Sequence, residues 1–507
     1  MGEAKNKLIR TDSPLNSTMN VDTLGGRIQV QWDTQASATP YGQLAFFTEF
    51  LKTAGLFDDW VNDCPLHYTS PNASKKRDVL GTLMLSILAG HKRYAHVTGL
   101  RADAVSPDVL GIEKLISEDA LRRGLAAIDD EQGTIWMRNH LLHSVQAALG
   151  TPWILDIDTT IKPIFGRQEG AEIGYNPHKP GRPSHAYHTY WVGNLRLVLD
   201  VEVMAGNEYS ASCALPGLVR MLQTLPSLNR PYVVRGDCAF GNDPVIRDME
   251  ALDQRYLFKM RQTKNVKRLL QKQFERSDWQ DAGQGWQGVT DELRLWGWEK
   301  ARRVVILRRA VKQEVLLTRQ RGKQLDLAFA DEQAVTCYEY AVLVTDLALD
   351  ILAIGQLYRD RADAENGFDE LKNQWGWCGF TTTDLKRCQT TASAVALVYN
   401  WWSWYARMAN PGARLEAVTS RPLLLAAVGR KVEHAGQSKL YLTPIHAAGE
   451  ELKGMVANIR EGLQQVKASA EQLWACKLWP HLVNYIVTGI MAATRSKKMQ
   501  LLPSGAG

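Results

Sequence analysis

The chain has 507 residues, too many for one compact core, so two or three cooperating domains are expected. Hydrophobic residues at 45% and charged residues at 22% are ordinary globular values, which excludes a disordered or fibrous chain. The net charge of +6 is mild, but it is concentrated: Lys300, Arg302, Arg303, Arg308, Arg309, Lys312, Arg319, Arg321 and Lys323 are opposed only by Glu314, a run that favours a polyanionic partner.

The seven cysteines are scattered and never spaced C-x-x-C, so neither a zinc module nor a disulfide framework is expected. No signal-type apolar segment opens the sequence, and the run Val79–Ala89 is too short to cross a bilayer. A cytoplasmic protein with no membrane partner is the expectation. No G-x-x-x-x-G-K-[ST] occurs, so no nucleotide partner is expected either.

In chain order, residues 1–40 lack periodicity and read as an arm. Residues 41–150 repeat apolar side chains at three and four, as in Leu44, Phe47, Phe50 and Leu51, and predict an all-helical region. There Ser117 followed by Glu118 and Asp119 marks a helix start that presents Arg122 and Arg123. A solvated helix face explains that pair as well as a DNA contact does.

Residues 151–277 change texture. Trp153 to Asp158 and Pro231 to Asp237 are short apolar strands, each ending in an aspartate, Leu195 to Met204 alternates as a strand, and Ala214 to Leu225 is helical. Strands alternating with helices predict an α/β core. Tyr256–Met260 adds a strand and Asn265–Phe274 a basic helix.

Residues 278–350 are strand-rich again, with Val304–Leu307, Val315–Leu317 and Tyr338–Val344 as strands, and read as an inserted β-subdomain. Residues 351–405 complete the core with a helix, and 406–507 form a helical C-terminal region for assembly.

The chemistry is carried by Tyr358, Arg361, Glu365 and Lys372, whose spacings of three, four and seven share one face of a helix. Such charges are more often ordinary surface pairs, so the case depends on partners from elsewhere in the chain. Asp158 and Asp237 supply them, because open α/β sheets place reactive groups beyond the carboxyl ends of strands. Two strand-end aspartates and a helix glutamate can hold two Mg²⁺ ions about 3.5–4 Å apart, a spacing suited to in-line displacement at phosphorus; Mn²⁺ can substitute. Asp156, two residues earlier on the same side of the strand, is the alternative to Asp158, and Asp369 is a reserve ligand.

The pattern Tyr358-x₂-Arg361-x₃-Glu365-x₆-Lys372 resembles the YREK signature of cut-and-paste insertion-sequence transposases of the DDE superfamily. "LDIDTT" and "VVRGDCAFG" resemble the two acidic strands of that group, and RQEGAEIGYNPHKPGRPSH (167–185) resembles one bacterial branch of it. The likeness covers roughly residues 75–400. It implies an RNase H-like core, a metal triad of Asp158, Asp237 and Glu365, and phosphate contacts from Tyr358, Arg361 and Lys372. It also implies double-stranded DNA as partner, a homodimer on paired element ends, a bacterial nucleoid setting, and a 3′-hydroxyl that first forms a hairpin and then joins target DNA.

Relatives carry a Trp on the last inserted strand that helps hold a flipped base, where this chain has Tyr338 and Tyr340. Tyr340 and Trp298 are therefore the candidates for that role, with Trp296 competing. The proline-rich loop with Lys179, Arg182 and His185 reads equally as a stiff connector or a DNA contact. The aromatic run Tyr399, Trp401, Trp402, Trp404 and Tyr405 reads as core. A nuclease that cleaves without joining, and a DNA-binding protein that has lost chemistry, are the rival readings.

Overall fold

The computed structural model describes residues 18–33, 36–68, 70, 72–177, 179–311, 329–331, 334–377, 379–380, 382–443, 449–470 and 478–500. The strand expected at Val315–Leu317, together with Lys312, Arg319, Arg321 and Lys323, lies outside the described residues.

The arm carries a hairpin of β1 (Met19–Thr23) and β2 (Gly26–Val30), and β3 (Ala38–Thr39) follows. Helices then run from Leu44 to Gln146. The central sheet is built from β4 (Ile154–Pro163), β5 (Glu172–Ile173), β6 (Pro183–Val192), β7 (Leu197–Ala205), β8 (Val233–Gly236) and β9 (Tyr256–Lys259). β4 pairs in parallel with β8, and β8 in parallel with β9, while β6 is antiparallel to both β4 and β7. This arrangement, with helices between the parallel strands, is the expected RNase H-like core.

The inserted strands do not stand apart from it. β10 (Gln280–Gly283), β11 (Trp286–Leu293), β12 (Arg302–Val311), β13 (Phe329–Asp331) and β14 (Ala334–Thr345) continue the same sheet, joined where β14 runs antiparallel to β9. Their period-two alternation feeds two cores: Val304, Ile306, Val342 and Val344 enter the main core, and Val305, Leu307 and Leu343 enter a second one beneath the helix Ile351–Arg359.

Two departures from the sequence reading have simple causes. The segment taken as a connector up to His185 becomes strand from Pro183, because β4 is long enough to pair nine successive residues from Leu155 to Pro163 with it. The C-terminal region is not helical throughout: β15 (Gly429–His434) and β16 (Gln437–Leu442) form a hairpin whose turn holds Gly436 at φ 75, and β15 pairs with β3 of the arm.

From Thr391 onward the long helix Leu385–Ala409 is buried on nearly every side. Tyr399, Trp401, Trp402, Trp404 and Tyr405 lie in the core, where each ring removes a large apolar surface from water. Three of their polar tips find partners: Trp404 Nε1 donates to Ser144 O at 2.8 Å, Trp402 Nε1 to Ser420 Oγ at 2.8 Å, and the Tyr399 hydroxyl to Arg196 O at 2.7 Å, while Trp401 Nε1 is buried without one among the described residues. Asn400, fully buried among them, clamps three elements. Its Nδ2 donates to Val198 O at 2.7 Å and Ser144 Oγ at 2.9 Å, while its Oδ1 accepts from Val198 N at 2.9 Å.

Asn400→Ala strands both backbone groups of Val198 at a buried position, at about 1–3 kcal/mol for each unmet group. The urea unfolding midpoint of the variant is expected to fall clearly, and an unchanged midpoint would contradict this role for Asn400.

Candidate active site

The site forms where strands of unequal length run side by side. Register aligns Ile157 of β4 with Gly236 of β8 and Phe258 of β9, so the next residues, Asp158, Asp237 and Lys259, form one row across three parallel strands. β8 stops at Gly236 while β4 continues to Pro163. Asp158 therefore does not close its strand, as the sequence suggested; it sits where β4 loses its β8 neighbour, and that loss opens the crevice.

Asp237 begins a tight turn. Its Oδ1 accepts from Ala239 N at 2.9 Å, and Asn242 caps the following helix through Val245 N at 3.3 Å. A Cβ on Gly241 would lie 2.2 Å from Lys259 O, so only glycine lets this turn press against β9.

Glu365 comes from the helix Ala362–Gln374. One continuous helix was expected to carry Tyr358, Arg361, Glu365 and Lys372, but the structure breaks it. The helix Ile351–Arg359 ends with Asp360 N on Gln356 O at 3.0 Å, then tightens as Arg361 N meets Tyr358 O at 3.1 Å. The single wheel thus fails between Tyr358 and Glu365, although both still reach the site.

Arg361 is the hub. Its Nη2 donates to Asp158 Oδ2 at 2.6 Å and its Nη1 lies 3.7 Å from Glu365 Oε1, with only 8% of the side chain exposed. Burial pushes the Asp158 carboxyl up to about 6; Arg361 and the Thr159 N–H oppose this, while Asp237 and Glu365 reinforce it. Burial also raises the Tyr358 phenol well above its usual range, with Arg361 opposing and Asp237, Cys238 and Asp158 adding to it. These mutual effects place Asp158, Asp237, Tyr358, Arg361 and Glu365 in one electrostatic unit.

Asp156 is occupied elsewhere. Arg235 grips it through Nε and Nη2, each at 2.6 Å, and also reaches Leu357 O. Both side chains are nearly inaccessible, and a Cβ on Gly193 would lie 2.2 Å from Asp156 Oδ2. Asp369 accepts from Asn373 Nδ2 at 2.7 Å on the helix surface.

Among the described residues no group of three His, Cys, Asp or Glu side chains is disposed to hold a metal ion in this conformation. Arg361 lies between two of the acids, donating to Asp158 and standing 3.7 Å from Glu365. The donors themselves fit a hard divalent cation, since three carboxylates at the mouth of a crevice offer only oxygen. With Arg361 withdrawn, Asp158 and Glu365 would both have free oxygens.

The remaining sequence candidates separate. Lys179 and Arg182 are exposed, Arg123 is exposed, and Lys372 is half-buried with its Nζ 5.9 Å from the Phe368 ring. Arg122 pairs with Glu118 at 2.5 Å and lies over Tyr94. His185 is buried, with Nε2 2.9 Å from Glu169 O, because it belongs to β6 and not to a loop; it offers no surface to DNA here. Trp298 and Tyr340 are likewise packed inside, Trp298 under the Arg302 guanidinium at 4.8 Å and Tyr340 against Phe274 and Trp279. Trp296 is 96% exposed.

The described part of the basic run is largely spent within the fold. Arg302 binds Asp243 at 2.6 Å and Glu250 at 2.9 Å, Arg303 reaches Leu347 O and Leu349 O, and Arg308 and Arg309 stack on Trp279 and Trp286. What the sequence reading missed is Lys259. Together with Arg261 it opposes the upward push of burial and Asp237 on the Cys238 thiol, so both cations face the Asp237 turn. The only sequence signal for Lys259 was a cation closing the apolar run Tyr256–Phe258.

An RNase H-like sheet with acids gathered where its strand pairing changes defines a nucleic-acid-processing architecture. The chain belongs to the family described as Transposase DDE domain group 1, whose model matches residues 46–464. Among solved structures it is similar to the piggyBac transposase synaptic complex with hairpin DNA, determined by cryo-EM, at 12% identity, 94% coverage of this chain, 89% of that chain and a TM-score of 0.39. No curated protein matches the chain. No helix among the described residues is long and apolar enough to cross a membrane.

Because the Asp158 carboxyl titrates higher in the fold than in the unfolded chain, its contribution to stability is present at low pH and is lost as pH rises toward about 6. Arg361→Met removes the opposing cation, so in metal-free protein the Asp158 midpoint should move further up. A carbon-13 titration of the aspartate carboxyls reads this directly, and a midpoint that stayed or fell would contradict the assigned role of Arg361.

Proposed function

We propose that this chain is a cut-and-paste DNA transposase of the YREK-pattern insertion-sequence group. In this reading it binds the ends of a mobile element, cleaves them and joins the freed 3′-hydroxyl to target DNA. The observation that carries the reading is the row of Asp158 and Asp237 across parallel strands, coupled to Glu365, Tyr358 and Arg361 from a helix pair more than a hundred residues later in the chain.

Asp158, Asp237 and Glu365 would hold two Mg²⁺ ions, or Mn²⁺ in their place, which supply activation of the attacking oxygen and stabilisation of the leaving one. Arg361 exchanges partners. When DNA arrives, its Nη2 leaves Asp158 Oδ2 for a phosphate oxygen, freeing the carboxylate as it secures the strand. Tyr358, kept protonated by its surroundings, donates its hydroxyl proton to a neighbouring phosphate oxygen, and Lys372, Lys179, Arg182, Arg122 and Arg123 steady the flanking backbone. A homodimer holding two element ends and a bacterial cytoplasmic, nucleoid-associated setting complete the reading.

By the same family resemblance the joining route passes through hairpin ends. Trp298 and Tyr340 are packed, so Trp296 is the aromatic whose exposure suits stacking on an unpaired base.

Asp237→Asn and Glu365→Gln should each slow cleavage and strand transfer of DNA carrying the cognate end by about a hundredfold or more in Mg²⁺, with DNA binding retained. Wild-type rates in both variants would sink the triad. For the aromatics, Trp296→Ala should slow hairpin formation by about tenfold while leaving the unfolding midpoint in place, since stacking on one base is worth about 1–3 kcal/mol. Trp298→Ala should lower that midpoint, as truncating a buried Trp costs about 3–5 kcal/mol. Wild-type hairpin formation by Trp296→Ala would remove Trp296 from the role.

A further inference from the structure

Beyond the Pro163 end of β4, and about two turns along the helix from Glu365, lies a cleft of about 600 Å³ whose lining includes Lys92, Arg93, Arg122 and Lys372 and no Asp or Glu. These four cations come from three regions far apart in sequence: the turn after the helix Lys76–Leu88, the helix Glu118–Ala126, and the helix that carries Glu365. Arg122 is paired with Glu118, but Lys92, Arg93 and Lys372 have no carboxylate partner among the described residues. Gathering like charges around one hollow is unfavourable unless an anion occupies it.

The wall is held by backbone contacts. A Cβ on Gly379 would lie 1.9 Å from Lys92 O, Phe380 N donates to Lys92 O at 2.8 Å, and Lys162 Nζ donates to Gly379 O at 2.9 Å. The turn bearing Lys92 and Arg93 is thereby fixed against the segment that follows the Glu365 helix.

Phe165 marks the rim. It follows β4, the strand of Asp158, and remains 71% exposed although it is a large apolar ring. Lys179 Nζ lies 4.9 Å and Arg182 Cζ 4.8 Å from its centroid, so two more cations are held at the same edge. Cations that track a groove beside an exposed aromatic are the physical means by which proteins follow a nucleic-acid strand.

We infer that this cleft is the track for the phosphate backbone of the DNA segment adjoining the reacting bond, with Phe165 seating a sugar or base at its rim. The inference rests on the transposase reading and adds the path of the strand away from the acids. Lys372 lies on the helix that carries Glu365, which links the track to the reacting site along one element. It also unites Arg122, Lys372, Lys179 and Arg182 with Lys92, Arg93 and Phe165 on one surface.

Binding of a short random-sequence duplex, followed by fluorescence anisotropy over a salt series, tests this on the full chain. Lys92 and Arg93 are exposed, so the double variant Lys92→Ala/Arg93→Ala should fold normally; it should bind more weakly and reduce the log–log salt slope by about 2, close to 0.9 for each lost phosphate contact. The charge-matched Lys453→Ala/Arg460→Ala, on the helix Gly449–Ala470, should keep the wild-type slope. Phe165→Ala should weaken binding with no change of slope. A cleft variant with wild-type affinity and slope, a control pair that lowers the slope equally, or a wild-type chain that does not bind the duplex each overturns the inference. Cleavage by Asp237→Asn at wild-type rate would instead overturn the transposase reading, and the slopes would still decide the cleft.

Discussion

One buried guanidinium balances the acids on which the site is built. Asp158, Asp237 and Glu365 repel one another, and Arg361 links Glu365, four residues along its own helix, to Asp158, 203 residues away in the chain. Burial still prevails over that cation, since the Asp158 carboxyl stands at about 6 and not below its ordinary value. A buried ion pair of this kind contributes little net stability, because desolvation offsets the attraction. Its consequence is positional: it ties the start of the Glu365 helix to β4.

The helix needs that fixing on both sides, and the other side is held by a second buried charge. Glu370 accepts from Trp375 Nε1 at 3.3 Å and Ala417 N at 3.1 Å and pairs with Arg414, which also reaches the Tyr399 hydroxyl at 2.8 Å. Phe368 packs edge-on against Trp191 at 5.3 Å, and a Cβ on Gly367 would meet the same indole at 3.0 Å. Trp191 pairs across β6 with Asp156, whose partner Arg235 touches Leu357. Glu365 is therefore set on a helix clamped at its back and tethered at its front, while its own carboxylate stays 69% exposed. Rigid support beneath an accessible ligand suits a group that must meet a large substrate.

Legibility in the sequence followed the range of the signal. The apolar runs before Asp158 and Asp237 appear as β4 and β8, and the aromatic run around Trp402 lies in the core, because strand alternation and apolar density are local properties. The one-face geometry of Tyr358 to Lys372 was only half legible: spacing assumes an unbroken helix, and the break at Asp360 depends on how Arg359 docks on Ala282 O at 2.6 Å and how Arg361 is drawn toward Asp158. His185, Trp298 and Tyr340 are buried, and residue type and a neighbouring turn cannot say which side chains of a strand or connection are covered.

Taken alone, the sequence carried the order of the core strands and the spacing of Tyr358, Arg361, Glu365 and Lys372, because each is written in residues close together or in a recurring pattern. The sequence favoured Asp158 over Asp156 for its place nearer the strand end, and the tertiary structure adds that Asp156 is held elsewhere. Both aspartates lie on the same side of one strand, and only the arrival of Arg235 from β8 commits Asp156 to an internal pair. The row with Lys259 and the basic cleft were decided in the same way, by strand register and by a turn pressed against Gly379, contacts between segments whose separation along the chain hides them from any local reading.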